Sequence, residues 1–409
     1  MKKKLLFIES NTTGTGMLLL SKTKTWGLEP IFITHNPNIY IGLNETGCEI
    51  LICNTNSITE LMNFIKSSFT NEEIAGIMTT SEYYLTIVSE LTKDFHLPGN
   101  PPAAVNACRN KYKTRLALAE ANIKQPQFSV VHTISEIEEA VSEISLPCVV
   151  KPIDDSGSNH VRLCETLADV IEQFQKIMQI DYNPRGQDTA KAVLIEEYLD
   201  YQEYSVEMFS WQGDSICIGI TEKNVKGYPY FVEYKHIFPT ILSIDIKKKI
   251  IQTVSAALEA VGFVDGVTHT EIKLTKDGCA VIEINARPAG GMIPELIRYV
   301  TGIDLLELQT KAVIGEKPLI KVNYKGYAGI HFIVSNLTGT LVGINGIDEV
   351  EKLDGIKVVN VTSKLGDEIT LPNNSSHRLG YIIALTKTYE ETENLLDRAN
   401  KMIKLKIRE

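Results

Sequence analysis

Apolar and polar positions alternate along the chain in a regular order. Leu5–Ile8 is a short continuous apolar run, followed by a polar turn from Ser10 to Gly16 and a helical spacing over Met17–Trp26. Pro30–Thr34 is a second apolar run. The same alternation recurs, more loosely, through Glu49–Cys53, Ile58–Ser68, Ile74–Thr79 and Ser81–Phe95. Strands alternating with helices predict a parallel sheet with helices on its faces. Leu97-Pro98-Gly99-Asn100-Pro101-Pro102 then punctuates the pattern and marks a first domain boundary.

Beyond it, a helix is expected over Ala103–Ala121, then a strand at Phe128–Val131. Helix Ser135–Ile144 follows, with Ser135 as N-cap and Glu138 completing a capping box. Cys148–Lys151 reads as a strand, Val161–Leu163 as a short one, and the polar stretch Ile180–Ala190 as a loop. Strands then dominate at Val193–Tyr198, Tyr204–Ser210, Ser215–Thr221, Thr268–Leu274 and Ala280–Asn285, interrupted by a helix at Ile246–Val261. Helices resume at Pro294–Thr301 and Asp304–Ile314, and Lys317-Pro318 marks a second boundary. The tail, 319–409, reads as a small α+β unit ending in strand Gly380–Thr386 and helix Tyr389–Ile403.

The stretch Thr268–Arg287 carries the sharpest chemical signal. Thr275 and Cys279 flank Lys276-Asp277-Gly278, which predicts a three-residue hairpin loop closed by a left-handed glycine. Glu271 then faces Glu283, and His269 faces Asn285, all on one face of the hairpin. Like charges directly opposite in a sheet are unfavourable, so something must offset them. A divalent cation would, because two carboxylates and an amide oxygen form a hard oxygen site. Arg287 falls on the same face if the strand continues, where it could reach a phosphate. A solvated outer face is the alternative, and a one-residue register slip would break the pairing.

Two further stretches fit a nucleotide. Strand Cys148–Lys151 ends in a lysine, and the small-residue turn Asp154-Asp155-Ser156-Gly157-Ser158-Asn159 follows. An ammonium beside such a turn can cradle phosphates, although a lysine before a turn is also ordinary surface. Val193–Leu199 ends in Glu196-Glu197-Tyr198-Leu199, with Glu203 just beyond. An adenine needs an apolar slot and a ribose needs a carboxylate; a plain strand edge is the competing reading.

Composition narrows the class. The 409 residues suggest about two to three domains. With 44% hydrophobic and 22% charged residues, the chain has the make-up of compact folded domains. The formal net charge of −10, with only short lysine runs at Lys2–Lys4 and Lys247–Lys249, argues against a nucleic-acid partner. Leu5–Ile8 is shorter than the roughly 7–15 apolar residues of a signal-peptide core. Nothing approaches the roughly 20 apolar residues of a membrane span, so no membrane partner is expected. The seven scattered cysteines contain no Cys-x-x-Cys pair, which speaks against zinc and a disulfide framework and for a reducing cytoplasm.

Lys111, Lys151, the Gly157–Ser158 loop, Glu196 to Leu199, Glu203, Lys223, Glu271, Glu283, Asn285 and Arg287 occur in the order and spacing of the ATP-grasp ligases. The resemblance spans about 100–315, and its most specific part is Glu283-Ile284-Asn285-Ala286-Arg287-Pro288 followed by Gly290-Gly291. Within that superfamily the chain resembles the L-amino acid ligases (dipeptide synthetases) and related acid–amino acid ligases of antibiotic pathways. The resemblance implies a mixed α/β and α+β architecture, with an ATP-grasp fold at 101–316 in two lobes divided near 190. An N-terminal Rossmann-like, pre-ATP-grasp domain would occupy 1–100, and a small C-terminal α+β domain 317–409.

The resemblance also implies roles. Lys111 and Lys151 would bind ATP phosphates, with Gly157 and Ser158 in the phosphate loop. Glu196, Tyr198 and Leu199 would meet adenine, partly through backbone. Glu203 would hold the ribose, and Lys223 would touch the nucleotide. Glu271, Glu283 and Asn285 would hold Mg²⁺, with Mn²⁺ as a substitute. Arg287 would stabilise the transferring phosphoryl group, and His269 would line the pocket. The phosphate loop departs from many relatives in holding a single glycine, Gly157. The implied reaction joins a small-molecule acid to an amino acid, consuming ATP, in a cytoplasmic homodimer. The aromatic stretch Tyr228–Phe238, with His236, and the Gly290–Met292 turn are candidates for lid and substrate pocket, or simple core packing.

Three other readings compete. A carboxylase of the biotin carboxylase type, or a purine-pathway ligase, would share the ATP residues. A dinucleotide-dependent oxidoreductase is suggested by Gly14-x-Gly16, but the third fingerprint position is Leu19. A non-catalytic nucleotide-binding module would have no need of Glu271, Glu283, Asn285 and Arg287 together.

Overall fold

The computed structural model describes residues 2–12 and 14–408, so Thr13 of the expected turn Ser10–Gly16 lies outside the described residues. The chain opens on a parallel sheet with strand order Glu49–Ile52, Glu29–Thr34, Lys4–Ile8, Ile74–Met78. Leu5, Leu6, Phe7 and Ile8 are all buried because both faces are covered. Leu5 and Phe7 pack with Leu19 and Leu20 of helix Thr15–Thr23. Leu6 and Ile8 pack with Leu61 and Ile65 of helix Ile58–Ser68 and Leu91 of helix Leu85–Asp94. This bears out the alternating β-α-β pattern.

The expected helix Ala103–Ala121 is two helices, Pro102–Arg109 and Lys111–Glu120. Asn110 adopts extended backbone between them, and its side chain accepts from the Lys113 N–H at 3.1 Å. The break turns Lys111 into a first-turn residue.

An antiparallel sheet follows, ordered Phe128–Val131, Val193–Glu197, Cys148–Pro152, Arg162–Cys164. Helices Ile137–Ile144 and Leu167–Met178 cover one face. The second of these is a helix that the sequence patterning passes over. The expected capping box at Ser135 and Glu138 does not form. A 3₁₀ turn at Ile134–Glu136 takes its place, with Glu136 accepting from the His132 N–H and the Thr133 hydroxyl.

An eight-stranded sheet comes next, ordered Gly278–Asn285, Gly266–Thr275, Glu203–Trp211, Asp214–Lys226, Val232–Phe238, Tyr327–Ile333, Gly380–Thr386, Ile356–Val361. Tail strands therefore continue the sheet directly from Val232–Phe238. Tyr204, Val206, Met208, Ile220, Ile272 and Ile284 point to one face, against helices Lys111–Glu120 and Ile244–Ala260. The opposite face carries the polar residues described below and, at its far end, Phe209 and Val267 against helix Ile293–Thr301. The tail holds five strands that the patterning does not single out: Tyr327–Ile333, Gly339–Asn345, Ile356–Val361, Glu368–Ile369 and, beyond the helix on which the tail was expected to end, Lys404–Arg408, paired with Gly339–Asn345.

The predicted hairpin is present with a different turn. Thr275 pairs with Gly278, leaving a two-residue loop, and the register shifts between Glu271 and Ile272. Ile282 is the extra residue of a β-bulge. The bulge restores the expected pairing of Glu271 with Glu283 and of His269 with Asn285. It also resolves a parity conflict. Val281 and Glu283 are two apart, so a regular strand would place them on one face; the bulge sends Val281 into the core and Glu283 to the polar face.

Candidate active site

The polar face gathers residues from five adjacent strands. Glu283 and Asn285 come from the edge strand, and His269, Glu271 and Lys273 from the next. Glu203, Ser205 and Glu207 follow, then Thr221 and Lys223, then Glu233 and His236. Strand pairing explains the set: Glu271 lies opposite Ser205, His269 opposite Glu207, and Lys223 opposite Glu203 and His236.

Five acids in so small a space are held by built-in cations. Lys223, 1% exposed, pairs with Glu203 at 3.1 Å, with Glu233 at 2.5 Å and with Glu271. Burial alone would lower the Lys223 ammonium, but Glu233, Glu271 and Glu203 together raise it well above the ordinary lysine value. Burial raises the Glu203 carboxyl against the pull of Lys223, with Glu271 adding to the rise. His269 bonds Glu207 through Nδ1 at 2.7 Å and Glu271 through Nε2 at 3.3 Å. Burial lowers its pKa, but those two carboxylates outweigh burial and raise it to about 9. The two carboxylates therefore favour the protonated imidazole. Glu283 takes a separate partner, Lys111 Nζ at 3.4 Å.

The second group centres on the four-stranded antiparallel sheet. Lys151 Nζ lies 2.6 Å from Glu196 Oε2, and Arg115 Nε donates to Glu196 Oε1 at 2.6 Å. All three side chains are buried. Burial raises the Glu196 carboxyl, but Arg115 and Lys151 outweigh it and hold it down to about 2. The Glu196 side chain is thus an internal counter-ion for Lys151, and only its backbone remains for another contact. Lys111 Nζ donates to the Asp155 carbonyl at 2.7 Å, which brings the phosphate-loop candidate to the same place. Gly157 has φ +71, a left-handed conformation that favours glycine, and Ser158 has φ +60. The Gly157 carbonyl accepts from the Ser375 N–H, so the tail also reaches this loop.

Tyr198, Tyr228 and Phe231 form an aromatic group with ring centroids 5.6 to 6.3 Å apart. Lys273 lies over the Tyr198 ring and donates to the Leu199 carbonyl at 2.8 Å. Arg287 does not follow the strand, which ends at Asn285. Its Nε donates instead to Glu82 Oε2 at 2.5 Å, an acid from the N-terminal sheet's loop.

Residues 144–295 match the ATP-grasp domain family, and residues 331–408 match the L-amino acid ligase C-terminal domain 2. The chain carries an ATP-grasp domain within a mixed α/β structure of ATP-grasp fold. It is 28% identical over 400 residues to the uncharacterized protein y4rH of Sinorhizobium fredii, covering 98% of this chain and 82% of that one. It is 29% identical over 252 residues to alanine–anticapsin ligase of Bacillus subtilis. That match covers 58% of this chain and spans about half the length of the ligase, 53%. The fold is similar to the crystal structure of L-amino acid ligase from Bacillus licheniformis, with TM-score 0.84 and 24% identity. That alignment covers 100% of this chain and 99% of the ligase chain.

In this ATP-grasp fold, the polar face of the eight-stranded sheet and Lys151 of the four-stranded antiparallel sheet are brought together through Lys111. Four residues escaped the sequence reading. Glu207 lies on a largely apolar strand, Glu233 in the aromatic stretch, and Arg115 among the lysines of a polar helix; only strand parity could have flagged the two acids. Arg378, from the tail, donates to Glu233 Oε2 at 2.7 Å and stacks 3.7 Å from the Phe332 ring; nothing local marks it. Among the described residues, no helix is long and apolar enough to cross a membrane.

Proposed function

We propose that the chain is an ATP-dependent carboxylate–amine ligase. It joins an acid, itself an amino acid or acyl amino acid, to an amino acid through an acyl phosphate, releasing ADP and phosphate. The observation that carries this reading is the match of residues 331–408 to the L-amino acid ligase C-terminal domain. It favours amino acid ligation over the carboxylase and purine-type alternatives, which share the ATP residues.

The substrate carboxylate attacks the γ-phosphate of ATP, and the amine then attacks the acyl carbon and expels phosphate. Such chemistry needs positioning and charge neutralisation rather than an enzyme nucleophile. Lys111 and Lys151 take the phosphates, with the Gly157–Ser158 backbone beside them. Tyr198, Leu199 and the Glu196 backbone line the adenine, and Glu203 meets the ribose. Lys223 holds Glu203 and Glu271 in place for these contacts. Glu271, Glu283 and Asn285 are hard oxygen donors on one face and suit Mg²⁺ or Mn²⁺. When bound, such an ion neutralises charge on the phosphoryl group. Arg287 faces the same charge, and His269 remains a fixed cation beside Glu271. The aromatic group of Tyr198, Tyr228 and Phe231 excludes water, which would otherwise hydrolyse the acyl phosphate.

The test is a phosphate-release screen over amino acid pairs in the presence of Mg²⁺, with mass spectrometry of the products. Phosphate release should require two amino acids and yield an amide. Release without any amino acid, or with bicarbonate alone, would overturn the reading.

A further inference from the structure

Arg115 is the largest fully buried side chain of the described residues, with 0% exposure. It stands one helical turn after Lys111, on the buried side of helix Lys111–Glu120. Its guanidinium makes contacts in two directions. Nε donates to Glu196 Oε1 at 2.6 Å, and Glu196 in turn holds Lys151 at 2.6 Å. Nη1 donates to the Val281 carbonyl at 3.3 Å and Nη2 to the Ile282 carbonyl at 2.6 Å.

Those two carbonyls belong to the β-bulge. Gly278–Asn285 is the edge strand of its sheet, so its outward backbone groups have no strand to pair with. Successive carbonyls of a regular strand point to opposite sides, whereas here two in a row turn to one side chain. A bulge leaves its extra residue outside the ladder and needs another partner to keep its shape. Arg115 is that partner, with the Lys124 carbonyl, which accepts from the Val281 N–H at 2.9 Å. Without the bulge, the register beyond it slips by one residue and Glu283 leaves the face that carries Glu271.

We propose that Arg115 is a positioning residue that aligns both halves of the ATP site at once. Through Glu196 it sets Lys151; through the bulge carbonyls it sets Glu283 and Asn285 against Glu271 and His269. Only a planar fork with donors on separate edges can do both, so a lysine serves one arm and not the other. The proposal rests on the assignment of Glu271, Glu283 and Asn285 to the divalent cation made above.

The experiment measures two affinities on the full chain. Mn²⁺ binding is read by electron paramagnetic resonance with ADP present, and metal-free binding of a fluorescent ATP analogue is read by anisotropy in EDTA. In Arg115→Lys the ammonium still pairs with Glu196, so nucleotide affinity should stay unchanged while Mn²⁺ affinity falls about 10–100-fold, the usual range for a lost outer partner. Glu196→Gln should show the reverse split, with weaker nucleotide binding and Mn²⁺ binding retained. A merely structural role would lower both affinities together. Arg115→Lys binding Mn²⁺ like the wild type, or losing both affinities equally, overturns the proposal. Glu283→Ala binding Mn²⁺ like the wild type overturns the metal assignment itself, and the proposal with it.

Discussion

At the scale of single residues, the site is a set of buried and half-buried acids made tolerable by cations the chain supplies itself. The sequence pairing of Glu271 with Glu283 calls for something to offset the repulsion. The fold answers with Lys223 and His269 for one acid and Lys111 for the other. Lys223→Met should therefore lower stability by about 3 kcal/mol, since it strands three half-buried carboxylates around one buried ammonium. Oxygens of Glu203, Glu233 and Glu271 lie within 4.8 Å of one another, so added Mg²⁺ should recover part of that loss. Chemical denaturation with and without Mg²⁺ reads both effects; a variant no more responsive to Mg²⁺ than the wild type sinks the idea. Glu196 gives a pH signature. Its pKa of about 2 in the fold lies below the ordinary 4.5, so its contribution is present above pH 4.5 and is lost as pH falls through about 2. Glu196→Gln should flatten that acid limb of the unfolding curve followed by circular dichroism. An unaltered limb would show that another carboxylate governs it. Lys151 and Glu196 were both legible as site residues; their mutual pairing was not, because the two strands that carry them are neighbours only in the folded sheet.

At the scale of elements, apolar runs located the strands up to Asn285 except Val232–Phe238, but in the tail only Gly380–Thr386; other errors fall where a local signal competes with a tertiary one. Asn110 is an ordinary helix residue by pattern, yet it caps the second helix and places Lys111 in the first turn. Asn110→Ala should cost about 1 kcal/mol, read as a lower urea midpoint with unchanged slope. A variant as stable as the wild type would mean that packing, not the cap, breaks the helix. The capping box at Ser135 fitted its pattern and lost to Glu136, which satisfies the N–H of His132 instead. The hairpin is the most instructive case. A three-residue loop gives the right pairing of Glu271 with Glu283 in a regular ladder, and the fold reaches the same pairing through a two-residue loop and a bulge. Loop residues alone do not distinguish the two, because the bulge depends on Arg115 and Lys124, more than 150 residues away in the chain.

At the scale of the whole molecule, segments beside the N-terminal sheet reach the candidate site. Glu82 holds Arg287, Tyr83 donates to Asp155 at 2.6 Å, and Arg185 donates to the Ser10 carbonyl at 2.7 Å. Arg185 comes from the Ile180–Ala190 loop, so what reads as a polar connection is a strut between lobe and N-terminal sheet. Glu82→Ala should lower kcat by about 100-fold, the scale of an ångström-sized misplacement, with nucleotide KM and circular dichroism unchanged. An unaltered kcat would show that Arg287 finds its place without Glu82. The sequence by itself determined most strands and helices before the tail and, through the order and spacing of motifs that resemble the ATP-grasp ligases, the fold; it also singled out Lys111, Lys151, Lys223, Glu271 and Glu283 as candidates. Those features are local, since periodicity, turn residues and motif spacing are written within a few residues of one another. Tertiary structure decided which charge faces which: Lys223 among three acids, Glu196 turned inward to Lys151, Arg287 turned to Glu82, and the bulge that keeps Glu283 on the right face. Each of those pairings depends on strand order and lobe packing, which bring together charges that the chain itself keeps far apart.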